Sequence, residues 1–178
     1  VVCGCGGGDA VRPVLPQVLS QSPRLVLDAD ALNAIAADTS LRSLVQMRAR
    51  RGLATVLTPH PLEAARLLDC GSPEVQSNRL AAVQQLADDL ACTVVLKGSG
   101  TLIATPGEAP ALNLTGNARL GTAGTGDVLA GLIGARLAGG AAPFQAACAA
   151  VYQHGEAADA WPCEEALTAG ALARRLRD

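Results

Sequence analysis

Lysine is almost missing from this 178-residue chain: Lys97 stands alone, and every other strongly basic residue is arginine. Aromatic side chains are as scarce, with one Phe, one Tyr and one Trp (Phe144, Tyr152 and Trp161). Three aromatics cannot build the stacking platforms that hold single-stranded nucleic acid. A net charge of −2 gives no general pull toward nucleic acid or anionic lipid. No apolar run reaches the roughly 20 residues that a membrane span needs, and the apolar, Gly-rich opening lacks the basic flank of a signal peptide. Cys3, Cys5, Cys70, Cys92, Cys148 and Cys163 are scattered. The Cys3-Gly4-Cys5 spacing does not suit zinc and no second pair completes a site, so reduced thiols in a cytoplasmic protein are expected. The only Met is Met47, so the chain reads as processed or as a fragment, its first residues finishing a strand already under way.

The length suits one domain with a full core. Short apolar strands are expected at Val1 to Cys3, Arg24 to Asp28, Thr55 to Leu57 and Cys92 to Lys97, with a hairpin from Thr101 to Thr105 and Ala111 to Leu114 about Pro106-Gly107. Helices are expected from Ala10 to Ser20 behind an Asp9 cap, from Ala31 to Ala37, from Leu41 to Arg50 with Gly52 as the stop, and from Pro59 to Leu68 with Thr58 or His60 as the cap. Ser72-Pro73-Glu74 opens one that runs to Leu90, and others cover Thr125 to Ala138, Pro143 to Ala160 and Thr168 to Arg175. Strands alternating with helices predict an α/β fold, a mostly parallel sheet with helices on both faces. Such sheets bind ligands at the carboxyl ends of their strands. The loops at Gly4–Gly8, Asp28–Asn33, Thr58–Glu63 and Lys97–Thr101 all follow strands and are expected to converge there.

The most informative stretch is GTAGTGDVLAGLIGARLAGG, from Gly121 to Gly140. Glycines and threonines feed a helix N-terminus, where unpaired N–H groups and the helix dipole favour an anion. Asp127 is the wrong charge for simply binding phosphate. It is the right group if a carboxylate must take a proton while the N–H groups of Gly124, Thr125 and Gly126 hold the developing anion. The helix presents Leu129, Leu132, Ile133 and Leu137 to a core, and Gly131 and Gly134 are expected to admit a close neighbour.

Four other stretches bear chemistry. VLKGSGT sets Lys97 at a strand end beside Gly98, Ser99 and Gly100, whose N–H groups suit phosphate or sugar oxygens; a solvated Lys at a plain turn is the other reading. LTPHPLE holds His60 stiffly between two prolines, as a ligand contact or as a helix cap. Asp28 and Asp30 follow a strand and either bind Mg²⁺ through water or cap the next helix. His154 in VYQHGEAAD reads as structural, and Arg174, Arg175 and Arg177 as a solvated helix end.

In order along the chain, VLDADALN, LTPHPLEAARLL, VVLKGSGTLIATP, NLTGN, GTAGTGDVLAG and VYQHGEAAD together resemble the ADP/ATP-dependent NAD(P)H-hydrate dehydratases of the ribokinase-like superfamily. The match covers most of Val1 to Asp159; GTGD alone is shared with ribokinase-like kinases. The resemblance implies a single domain over 1–178 with its N-terminal segment missing, and repair of NADH or NADPH hydrate: ADP or ATP, with Mg²⁺, phosphorylates the added hydroxyl and phosphate then leaves. It implies Asp127 as base, with Gly6, His60 and Asp127 on the hydrate. Lys97, Gly98, Ser99, Gly100, Thr101 and Gly126 would meet the adenine nucleotide, and no protein metal ligand is assigned. A homo-oligomer and a fused or separate epimerase are further expectations. A small-molecule kinase and a non-catalytic nucleotide-binding fragment are the alternatives. The chain departs from the family pattern at Leu62, where Gly is usual; at Cys5 to Gly8, where P-G-L-G is usual; and at Asn117-Ala118-Arg119, where N-P-G is usual. Leu62 is expected to crowd the His60 turn, and Arg119 to add a cation near the active loop.

Overall fold

The computed structural model describes residues 1–176. Arg177 therefore lies outside the described residues. Strands β1 (Val2–Cys3), β2 (Arg24–Leu27), β3 (Ala54–Leu57), β4 (Thr93–Leu96), β5 (Leu102–Ala104) and β6 (Ala111–Leu112) form one sheet in sequence order. β1 to β4 are parallel, while β5 and β6 join antiparallel. All four parallel strands thus end on the same edge, and that edge collects the loops after them.

Alternation along the strands divides the core. Leu25, Leu27, Leu57, Val94 and Leu96 face one side, against α1 (Leu15–Gln21), α2 (Ala29–Ala36), α3 (Thr39–Arg50), α4 (Pro61–Leu68), α5 (Ser72–Ser77) and α6 (Arg79–Leu90). Val26, Val56, Val95 and Ile103 face the other, against α7 (Thr125–Ala138) and α8 (Pro143–Asp159). The expected α/β sheet covered on both faces is what forms. Beyond α8, Trp161, Leu167 and Leu172 of α9 (Ala169–Arg175) make a small satellite core. No described helix is long and apolar enough to cross a membrane.

Three elements differ from the sequence expectation. The helix expected from Ala10 is a 3-10 turn (Gly8–Val11) followed by α1, because Pro16 cannot supply an N–H to a helix interior and sits in a first turn instead. The helix expected from Ser72 to Leu90 breaks at Asn78, whose non-helical backbone and side-chain bond to the Ala81 N–H start α6 afresh. On α7, Leu129, Ala130, Ile133 and Leu137 are buried and Leu132 only partly so. A Cβ on Gly134 would stand 2.6 Å from Val2, a close neighbour as expected, whereas Gly131 faces open space.

Away from the strand ends, Arg48 is buried without a carboxylate. Its guanidinium donates to the carbonyls of Leu19, Ser22 and Ala54 and to Thr55 Oγ1 at 2.5–3.1 Å. These bonds tie α3 to the end of α1 and the start of β3, and compensate the burial of the cation.

Candidate active site

The site is built around Asp28, the residue that follows β2. It occupies the N-cap position of α2, but its side chain makes no cap bond. Oδ1 accepts from Lys97 Nζ at 2.8 Å and from Thr58 Oγ1 at 2.8 Å, and Oδ2 faces the Cys5 thiol at 3.7 Å. The Asp28 N–H donates to the Cys3 carbonyl. One buried carboxylate thereby gathers the loops that follow β1, β3 and β4. Asp30 does separate work, accepting the Gly8 N–H at 2.7 Å and so bracing the glycine loop. Neither side chain caps α2, which corrects one of the two readings the sequence left open.

Gly4 makes this convergence possible. Its φ is +117°, and a Cβ there would collide with the Asp28 carbonyl and with Ala31. The loop then carries Cys5 inward and leaves Gly6 exposed at the same edge. Burial, then the charges of Asp28 and Asp127, push the Cys5 thiol up to about 12, against a smaller opposing effect of Lys97. Cys5 is therefore a neutral thiol facing a carboxylate.

Lys97 is not the solvated lysine of a plain turn. Its ammonium is mostly covered, paired to Asp28, and lies 3.5 Å from where a Cβ on Gly126 would be. It spans the gap between the end of β4 and the start of α7.

At α7 the chain is held from behind. The Thr125 hydroxyl lies 2.6 Å from the Leu120 carbonyl and 2.8 Å from that of Thr122, and its N–H donates to Thr122. The Thr125 carbonyl meets His154 Nε2 at 2.9 Å. Burial lowers the His154 pKa, opposed by that backbone bond, so the neutral ring donates from Nε2. Thr125 is thus fully engaged inside the protein, and its N–H is not free for the anion expected there. Among the described residues no group accepts from the N–H groups of Gly124, Gly126 or Asp127. The Asp127 carboxylate is exposed at this helix start.

Donor atoms of Cys5, Asp28 and Asp127 lie within 4.8 Å of one another. Oxygen donors suit Mg²⁺ and a thiol does not. Asp28 is committed to Lys97, and Asp127 is the one exposed carboxylate of the three groups.

His60 sits on the same edge as the N-cap of α4. Nδ1 accepts from the N–H groups of Leu62 and Glu63, and Glu63 in turn accepts the His60 N–H at 2.8 Å. Nε2 stands 3.2 Å from the other Glu63 oxygen. With both nitrogens occupied, the ring offers its exposed half and not a free base. Leu62 points outward and does not crowd this turn. Arg119 is also turned away from the active loop: it donates to the carbonyls of Trp161, Pro162 and Cys163. The preceding Gly116 and Asn117 dock on Asp159 at the end of α8.

The edge therefore brings together Gly6, His60, Lys97, Gly126 and Asp127 with two groups that the sequence had not placed in the site, Cys5 and Thr58. The signal for Thr58 was its place directly after a strand; for Cys5 it was a side chain where proline is usual.

A family model described as NAD(P)H-hydrate dehydratase matches residues 1–178. The chain belongs to this family. An ADP-dependent (S)-NAD(P)H-hydrate dehydratase of Neisseria meningitidis is 46% identical over 99% of this chain and 59% of its own length. The ADP/ATP-dependent NAD(P)H-hydrate dehydratase of Bacillus subtilis, co-crystallized with ATP/Mg²⁺, superposes with a TM-score of 0.80 at 31% identity, over 99% of this chain and 61% of that one. A ribokinase-like superfamily protein of Enterococcus faecalis follows at a TM-score of 0.72 and 27% identity, over 98% and 60%. The fold is ribokinase-like. The chain spans about three fifths of the length of these relatives.

Proposed function

We propose that the protein carrying this chain dehydrates the hydrate of NADH or NADPH at the expense of ADP or ATP, restoring the nicotinamide cofactor in the cytoplasm. The chain acts as one dehydratase-like domain in this reading. The observation that carries it is Asp127: an exposed carboxylate at the start of α7, flanked by unpaired N–H groups and facing the Asp28–Lys97 pair. Membership of the dehydratase family supplies the substrate class.

In this mechanism Asp127 accepts the proton of the hydrate hydroxyl as its oxygen attacks the terminal phosphorus of the nucleotide. The bond from that phosphorus to the bridging oxygen breaks. The N–H groups of Gly126 and Asp127, at the positive end of α7, face the transferring oxygens. Lys97 adds a fixed positive charge, with Asp28 preventing it from swinging away. Mg²⁺ carried on the nucleotide phosphates would neutralise their charge, which leaves the Asp127 carboxylate free to take the proton. The carbon–oxygen bond then breaks, phosphate leaves, and a proton is lost from the adjacent ring carbon, which restores the ring double bond. The loop Lys97–Thr101 binds the adenine nucleotide, and Gly6 and His60 shape the hydrate side. Six free thiols are in keeping with a reducing compartment.

The test is to mix the full-length protein with NADH hydrate, ADP or ATP, and Mg²⁺. Dihydronicotinamide absorbance should return with release of one phosphate per cofactor. A stable phosphorylated product would instead identify a kinase, and nucleotide binding without turnover a binding module.

A further inference from the structure

We propose that Arg79 is the positioning residue of the nucleotide loop. This rests on the reading that Lys97–Thr101 binds the adenine nucleotide. Arg79 opens α6, the end of a helix at which the dipole disfavours a cation. What holds it there is backbone carbonyl oxygen. Nη2 donates to the carbonyls of Leu96, Lys97 and Gly100 at 3.2, 3.3 and 3.3 Å, while Nη1 donates to Gln76 Oε1 at 3.0 Å.

The last carbonyl of β4 and two from the loop after it thus converge on a single guanidinium. A peptide that turns its carbonyl one way turns its N–H the other way. No described group accepts from the N–H groups of Gly98, Ser99 or Gly100. The bonded Lys97 and Gly100 carbonyls share their peptides with the N–H groups of Gly98 and Thr101, so the arginine turns those two donors away from itself, toward phosphate or sugar oxygens. Its charge also lies directly behind a site for a polyanion. Gly98 is shaped to the same contact: its φ is +136°, and a Cβ there would stand 3.0 Å from Nη1. A lysine could not reproduce this whole set, because its one nitrogen cannot hold the carbonyls and Gln76 together as Nη2 and Nη1 do.

The test compares wild type, Arg79→Ala and Arg79→Lys in the full-length protein. Calorimetry gives the Kd for ADP, and kinetics give separate KM values for nucleotide and hydrate. We expect Arg79→Ala to weaken ADP binding and raise the nucleotide KM by about tenfold or more, as losing a charge-assisted network should. The hydrate KM should stay unchanged, and Arg79→Lys should fall between the two. A purely structural arginine would move both KM values together or neither, and either result overturns the proposal. If Arg79→Ala does not fold, Arg79→Lys decides: wild-type affinity for ADP overturns the proposal, and a selective loss sustains it. Wild-type protein that binds no ADP removes the nucleotide reading of the loop, and the proposal falls with it.

Discussion

Two side chains at the strand ends carry most of the charge that matters, and they are nearly out of water. Asp28 is 98% buried as a side chain and Lys97 about four fifths so. Removing one partner leaves the other charge without its counterpart, which costs more than the intact pair gains. Lys97→Met is expected to lower unfolding free energy by about 3 kcal/mol in urea titrations, toward the low end of the range because part of Lys97 is exposed. Adding Asp28→Asn should recover some of that loss, the mark of coupled neighbours. His154 makes a pH prediction of determinate sign. Burial holds its pKa below the ordinary 6.5, so the unfolded chain binds the proton more readily. Its contribution to stability is present above about pH 6.5 and is lost as pH falls toward the folded value. His154→Gln should flatten the stability difference between about pH 7.5 and about pH 5.5, measured by denaturant unfolding.

Among the elements, α8 and the loop before α7 pack closely. Gly155 lies mid-helix, where Ala would normally gain about 1 kcal/mol. A Cβ there would stand 2.6 Å from the Thr115 backbone carbon, so Gly155→Ala should lower Tm despite its better helix propensity. The same substitution should impair turnover, since the segment leading into the active loop is docked on α8 through Tyr152, Ala158 and Asp159. Strong local signals made most elements legible in the sequence: β4 is a short, continuous apolar run, α7 and α8 are long segments opened by a glycine turn and by a proline, and His60 between its prolines is a cap, one of the two readings left open for it. The misses were local conflicts. Pro16 shortened α1, and Asn78 divided a run that looked continuous, because a side-chain cap outweighed an otherwise helical pattern.

At the scale of the whole molecule, four parallel strands deliver their loops to one edge, and that was legible from the alternation of strands and helices. What was not legible was which side chains meet there. Asp28 and Lys97 are separated by 69 residues, and only the order of β2, β3 and β4 in the sheet brings them to 2.8 Å. Cys5 and Arg79 were hidden for the same reason: their partners are distant carboxylates and carbonyls, and no spacing in the chain announces them. The account of function stands on Asp127 taking a proton within that assembly. The most direct test is a paired measurement on Asp127→Asn in the full-length protein: turnover of NADH hydrate with ADP or ATP, and calorimetric nucleotide binding. The account predicts that restoration of dihydronicotinamide is abolished while nucleotide affinity survives; sustained turnover by Asp127→Asn would contradict it.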